Sequence, residues 1–514
     1  MENRPPIQLS KVMEGRPIAS SSHLLKLPST ILSDIVQCLE DDSRTLASLA
    51  LVNTDCRQLA RTCQFKNFTV IFPDFLHFGV LKLAKEVHHV ETQKDLSTIL
   101  PALPNLECVR WRGDGTCRLS DSFAGVLVSL DVKELGLEGV MFAVDETFQR
   151  SLPTFPLRRL RELRFDMISA DRSGSPSYLL ENLLRRSMDN LRSLTVGSGY
   201  LDDGETTPQG IELPKLRILD VKTHSGLVRF DAWSTLLAGS PSLQSLTMPG
   251  FHVTHDNVID ASPNCEALPN LESLVLKGQY GFWNHLQTHL SLPDTNVLGN
   301  FIAKHAHVKS LDIDYVTPEK LETMLVPVLC NAQFDNLTKL RLGWCYFRSW
   351  GAQQDSLNSH ETAFTIHASA LSAIGTLTSL EELSMGIGNP RWTRDVVWLL
   401  DHDQLRSSIG GLKNLRKLVL QLDVHPTPYA AAVHASRIHF HSRVREWGRY
   451  QTLRQEWRNN WRRAHFARTM NEAKMYATLP ALETIHLGQR IWRFIRRPAN
   501  GGANYRFLHL GQVW

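Results

Sequence analysis

Side chains that could do chemistry in this chain are spread out, and no set of them has catalytic spacing. There is no G-x-x-x-x-G-K-[ST] phosphate loop, no H-E-x-x-H zinc helix and no G-x-S-x-G nucleophile turn. His88–His89 and His439/His441 lack further residues at metal-ligand spacing. Asp202 and Asp203 lie in DDGE, a turn sequence, and Gly197–Tyr200 is a lone glycine turn. The chemistry on offer is recognition. Arg110, Arg112, Glu134, Glu138, Glu162 and Arg164 recur at equal offsets, as do Lys277, Asp312, Asp314, Lys339 and Arg341. The last five alternate in sign over three successive segments. They form either a ladder of cross-strand ion pairs or a charged floor for a target segment. Tyr280, Trp283, Tyr346, Trp350 and Trp392 follow their segments at similar distances. Such aromatics either line one rim as contact anchors or fold back under long loops. Between His434 and Arg468, nine Arg and two Glu give a local charge of +7, with aromatics every three or four residues. That insertion, about 425–478, reads as an amphipathic helix. It either packs its aromatic face on the body of the protein or meets an acidic or phosphorylated target, because Arg matches both groups bidentately.

The elements that must carry these residues repeat. The pattern L-x-x-L-x-L, with other apolar residues allowed, occurs twelve times, from Leu106/Val109/Trp111 to Leu482/Ile485/Leu487. Seven of the eleven spacings lie between 25 and 31 residues, and the longest, 35, 37, 43 and 67, fall toward the C-terminus. Phrases such as LPNLECV, LPNLESL and LKNLRKL are near copies. The L-x-L part alternates with period two and predicts a short strand with leucines inward. Stretches such as NVLGNFIAKH predict helices between strands. Each strand–helix unit can bury its apolar side only against its neighbours, so stability comes from stacking.

Over residues 100–490 this pattern resembles the leucine-rich-repeat family. The resemblance implies an α/β solenoid, a horseshoe with parallel strands on its concave face. The usual Asn or Cys after the strand is mostly absent, with Cys345 one match, so irregular repeats are expected.

Ahead of the repeats, residues 24–65 predict three short helices. Ile31, Ile35 and Leu39 make one apolar stripe. Asp41, Asp42 and Ser43 can cap a second helix carrying Leu46, Leu49 and Ala50, and Cys56, Leu59 and Ala60 lie on a third. So small an all-α unit leaves apolar surface for a partner or for the rest of the chain. It is either a helical cap on the array or a docking module. Leu27, Pro28, Ile31, Leu32, Ile35, Leu39, Leu46, Leu49, Leu51, Val52, Arg57 and Leu59 resemble an F-box, with Thr30 and Cys56 departing from the family's common Glu and Trp. By that resemblance, Leu27, Pro28, Ile31, Leu32, Ile35, Leu39, Leu46, Leu49 and Val52 bind a Skp-type adaptor and, through it, a cullin. The repeats would then choose a protein for ubiquitination. A receptor of that kind contributes proximity and needs no catalytic residue or cofactor. The alternative is a non-degradative interaction scaffold.

Composition is consistent with this outline. In 514 residues, 42% are hydrophobic and 21% charged, as in a folded chain. The net charge of +4 is too mild for a wholesale polyanion binder, so neither nucleic acid nor membrane is expected as partner. No apolar run reaches the ~18 residues of a membrane span, and residues 1–23 read as a flexible leader without a signal core. Eight cysteines without C-x-x-C spacing fit reduced thiols in the cytosol or nucleus. Residues 66–99 are expected to link or cap, and 491–514 to close the array.

Overall fold

The structure is a computed structural model. It describes residues 31, 35, 36, 38, 39, 42–52, 56, 57, 60, 67–71, 92–103, 106–142, 154–169, 177–197, 211–222, 236–249, 268–277, 295–316, 321–344, 363–387, 397–399, 401–421, 466, 467, 469–487, 490–497 and 504–512. The chain divides into two compact units, Met1–Leu216 and Arg217–Trp514.

In the first unit, helix α1 (Ser43–Ala50) starts at Asp42, one of the three expected capping residues. The Asp42 carboxylate accepts the backbone N–H groups of Arg44 at 3.1 Å and Thr45 at 3.0 Å. It also accepts the Thr45 hydroxyl at 2.6 Å. These bonds satisfy N–H groups that have no partner inside the helix. Five parallel strands follow: β1 (Asn67–Ile71), β2 (Cys108–Leu119), β3 (Glu134–Phe142), β4 (Glu162–Ser169) and β5 (Ser193–Gly197). The sheet therefore begins at Asn67, inside the stretch expected only to link or cap. NFTVI lacks the leucine triplet, which is why the repeat pattern passed over it.

Val109, Leu135, Leu163 and Leu194 stand opposite one another across β2 to β5. All four are 1% exposed or less, so the triplets do align as adjacent rungs. Helices α2 (Asp121–Ser129) and α3 (Ser177–Ser187) cover this face with Phe123, Leu127, Leu183 and Leu184. Trp111 packs on Phe123 with ring centroids 4.9 Å apart. Each fully buried leucine contributes roughly 1.5–3 kcal/mol. Gly139 adopts φ 61° where the β3–β4 register shifts between Glu138 and Val140. A Cβ is disfavoured in that left-handed backbone region.

In the second unit, eight parallel strands carry the remaining triplets. They are β6 (Ile218–Lys222), β7 (Ser245–Pro249), β8 (Ser273–Lys277), β9 (Ser310–Val316), β10 (Lys339–Trp344), β12 (Glu382–Ile387), β14 (Lys417–Gln421) and β15 (Thr484–Leu487). Strands β11 (Ala363–Thr365) and β13 (Val397–Leu399) pair separately. Leu219, Leu246, Leu274, Leu311, Leu340, Leu383, Leu418 and Ile485 form one buried row. Helices α4 (Thr295–Lys304), α5 (Val326–Asn331), α6 (Ala368–Gly375) and α7 (His402–Ile409) lie between strands and bury their apolar faces. The asparagine of the repeated phrase is structural. Asn270 donates to the Pro241 carbonyl at 2.9 Å, and Asn414 to that of Thr378 at 3.1 Å. Each ties one repeat to the repeat before it. Strands β16 (Arg490–Arg497) and β17 (Asn504–Gln512) turn antiparallel on β15 and cap that edge.

Each unit is thus a stack of α/β repeats, parallel strands with their leucines inward.

Candidate protein-binding surface

With the leucines inward, residues at alternate strand positions face away from the core. On the first unit this outward face carries one connected ion network. Arg110 grips Glu134 with two donors, Nη2 at 2.7 Å. Arg164 bonds Glu162 at 2.6 Å and lies 3.4 Å from Glu134. Arg112 lies 3.4 Å from Glu138. Burial alone would raise the Glu134 carboxyl, but hydrogen bonds from Arg110 and Cys108 outweigh it and hold its pKa below the usual value. The same Glu134 bond raises the Arg110 pKa. The Arg110 stem crosses Gly136, where an added Cβ would stand 3.2 Å from Arg110 Cγ. The small residue leaves the guanidinium its path.

Cys108 adjoins this network. Burial, and then the Glu134 charge, push its thiol up to about 12. A thiol of that kind stays protonated near neutral pH. Cys38, Cys108 and Cys330 are free thiols. Among the described residues no group of His, Cys, Asp and Glu could hold a metal ion. No described helix is long and apolar enough to cross a membrane.

The charged set singled out on the second unit is distributed differently from its order in sequence. Arg341 reaches Asp312 at 3.1 Å. Lys277 turns instead to Asp220 at 3.5 Å, two strands away on β6. Lys339 is exposed and stands opposite Glu382, which pairs with Lys417 at 2.6 Å. Asp314 lies on β9, with its side chain outside the described residues. The ion-pair ladder expected from the alternating signs is present in part, and half-exposed pairs of this kind contribute about 0.2–1 kcal/mol each. Tyr280, Trp283, Tyr346, Trp350 and Trp392 lie outside the described residues.

Of the Arg/Trp-rich insertion, residues 422–465 lie outside the described residues and 469–476 are helical. Phe466 packs on Trp492 at 5.1 Å and on His509 at 5.4 Å between centroids. Tyr476 is fully buried and its hydroxyl lies 2.8 Å from His402 Nδ1, while Glu472 lies 3.3 Å from His402 Nε2. The end of the insertion therefore docks on α7 and on the closing hairpin.

In the N-terminal helical segment, Val36, Leu46 and Ala60 form a small core, with Leu39, Leu49 and Ala50 partly buried against it. Leu46 is 2% exposed and belongs to this core. A leucine midway along a short amphipathic helix is what closes such a bundle. Ile35 is half-buried. Ile31, Leu51 and Val52 are 44%, 79% and 68% exposed. Leu27, Pro28 and Leu32 lie outside the described residues.

No protein-family model matches the chain, and no curated protein matches it. Among solved structures it is similar to a leucine-rich-repeat protein of Leptospira interrogans, at 12% identity and a TM-score of 0.23, over 78% of this chain and 96% of that one.

Proposed function

We propose that the protein is the target-recognition subunit of an SCF-type cullin–RING ubiquitin ligase. In this reading the N-terminal helices dock a Skp-type adaptor, which brings the cullin, and the repeat strands present a protein target to the ligase. The observation that carries it is the exposure of Ile31, Leu51 and Val52 in a helical segment whose small core includes Val36, Leu46 and Ala60. Burying three such side chains against a partner is worth several kcal/mol, and the F-box-like order of the segment names the partner. The outward strand face, charged and mixed in sign, suits a protein target held by complementary polar contacts. The receptor itself performs no bond chemistry. It raises the effective concentration of target beside the ubiquitin carrier. It would act in the cytosol or nucleus.

The test is a pull-down from cells. The full chain should recover adaptor and cullin, and Ile31→Asp combined with Val52→Asp should recover neither while keeping its circular dichroism spectrum. Adaptor recovered without cullin would favour a non-degradative scaffold. Undiminished recovery by the double variant would refute the docking surface.

A further inference from the structure

The second unit ends in a strand that has a neighbour on one side. Strand β17 pairs with β16, and among the described residues no strand lies beyond it. Residues Asn504–His509 keep one register against Arg497–Trp492, and the register then shifts, passing over Leu510. In an antiparallel strand every second residue turns both its N–H and its C=O to the far side. Along β17 these groups make an edge that an incoming strand can complete. The edge is also firm. Behind it, Trp492 and Phe494 of β16 are buried, and the Phe494 N–H bonds the Glu483 carbonyl at 2.8 Å. The Phe466 ring packs on Trp492 and His509. A partner would meet a strand already held in place, with little ordering left to oppose it.

Two further observations say what such a partner carries. Aliphatic side chains are bare on this hairpin: Ile495, Leu508 and Leu510 are 37%, 39% and 52% exposed. Leu508 stands opposite Arg493, so the two share a face of the sheet, and Ile495 lies two residues along β16 on that same face. The charge of the hairpin is of one sign. Residues 490–512 contain Arg490, Arg493, Arg496, Arg497 and Arg506 and no Asp or Glu. Arg493 is exposed, and one strand separates it from a chain added to β17. Lys277 crosses the same span, over β7, to reach Asp220.

We propose that the β17 edge binds an extended, acidic segment of a protein partner by strand addition. The backbone of that segment completes the ladder, its aliphatic side chains cover Leu508, and its carboxylates meet Arg493 and the charge of the hairpin. A second copy of this chain is a poor occupant, because it would bring five more arginines to the same edge. A polynucleotide matches the charge, but it has no peptide backbone for the ladder and no aliphatic groups for Leu508 and Leu510. The edge belongs to the second unit and the adaptor helices to the first, so this inference and the ligase reading fail separately.

The experiment is fluorescence anisotropy of the full chain with a labelled peptide of two Glu-Glu-Val-Val repeats, which shows both side-chain types on either face. One control replaces Glu by Gln and keeps the strand. Another replaces Val by Pro, which keeps the charge but removes ladder donors. A single-stranded oligonucleotide is the fourth ligand. The Glu/Val peptide should bind about ten-fold or more tightly than each of the others, and added salt should weaken it. Hydrogen exchange of residues 504–509 should slow when it is bound. Leu508→Glu should lose about ten-fold and Arg493→Gln about three-fold. Lys413→Gln, at an exposed turn before β14, should lose nothing. R493Q keeps the test open should L508E disturb the hairpin. Failure of the Glu/Val peptide to bind overturns the proposal, as does equal binding of a control peptide or the oligonucleotide. Undiminished binding by folded variants, or exchange that slows elsewhere and not in β17, overturns it too.

Discussion

Single residues here are kept for reasons that their types alone do not disclose. His305 reads in the sequence as one scattered histidine of 21. In the structure it is fully buried, its Nδ1 lies 2.7 Å from the Phe301 carbonyl, and its Nε2 accepts the Leu268 N–H at 3.1 Å. An Nε2 that accepts leaves the proton on Nδ1, so the ring is neutral and joins α4 to the previous repeat. Burial lowers its pKa below 6.5. As pH falls, the unfolded chain takes up a proton that the folded chain refuses. The stability supplied by neutral His305 is therefore complete above the ordinary histidine value and drains away as pH drops toward the lower folded-state value. Urea titrations at pH 7.5 and 5.5 should show this. His305→Ala should lose about 1–3 kcal/mol at pH 7.5 by stranding the Leu268 N–H, and should lose less further stability on acidification than the parent. An equal acid response in both proteins would assign the effect elsewhere. Arg110 and Glu134 teach the same lesson for charge. Both were visible as outward-facing residues, but their bidentate pairing depends on Gly136 leaving room one strand over.

Between elements, the helices that fill the repeats set how closely their neighbours approach. Gly375 closes α6, and a Cβ added there would stand 2.2 Å from the Ser408 carbonyl oxygen on α7. That atom is backbone and cannot swing aside, so Gly375→Ala must push the two helices apart. Overpacking of this sort costs about 1–3 kcal/mol. Thermal unfolding should record a lowered midpoint, and a neutral outcome would mean that α6 and α7 slide without loss. The strand–helix alternation was legible from the triplets because burial on one face imposes period two. Strand β1 was not legible, since it pairs with β2 through backbone bonds that NFTVI can make without leucines. For Leu46 the sequence left a related question open. A helical stripe shows which residues avoid water, but not whether their cover comes from within the bundle or from a partner.

For each whole unit, what ends the sheet matters as much as what repeats in it. A parallel array must expose a strand edge unless something closes it, and an open edge pairs with other chains. At the C-terminal end, β16 and β17 fold back antiparallel and cover β15, with Trp492 of β16 buried. Deleting residues 490–514 should leave β15 bare and convert a well-behaved protein into one that self-associates, measurable by light scattering on size-exclusion. A deletion variant that stayed monomeric would show that the hairpin is not needed as a cap. The sequence by itself determined the repeat, its strands, its inward leucines and the lack of a catalytic motif, because burial periodicity is a local property that survives in one dimension. Only the tertiary structure decided which charges meet. Lys277 finds Asp220 from 57 positions away, and Arg158, Arg161, Arg192 and Lys215 share one recess. Stacking makes neighbours of residues a whole repeat apart, and how long side chains reach across that distance is written in the packing, not in the spacing.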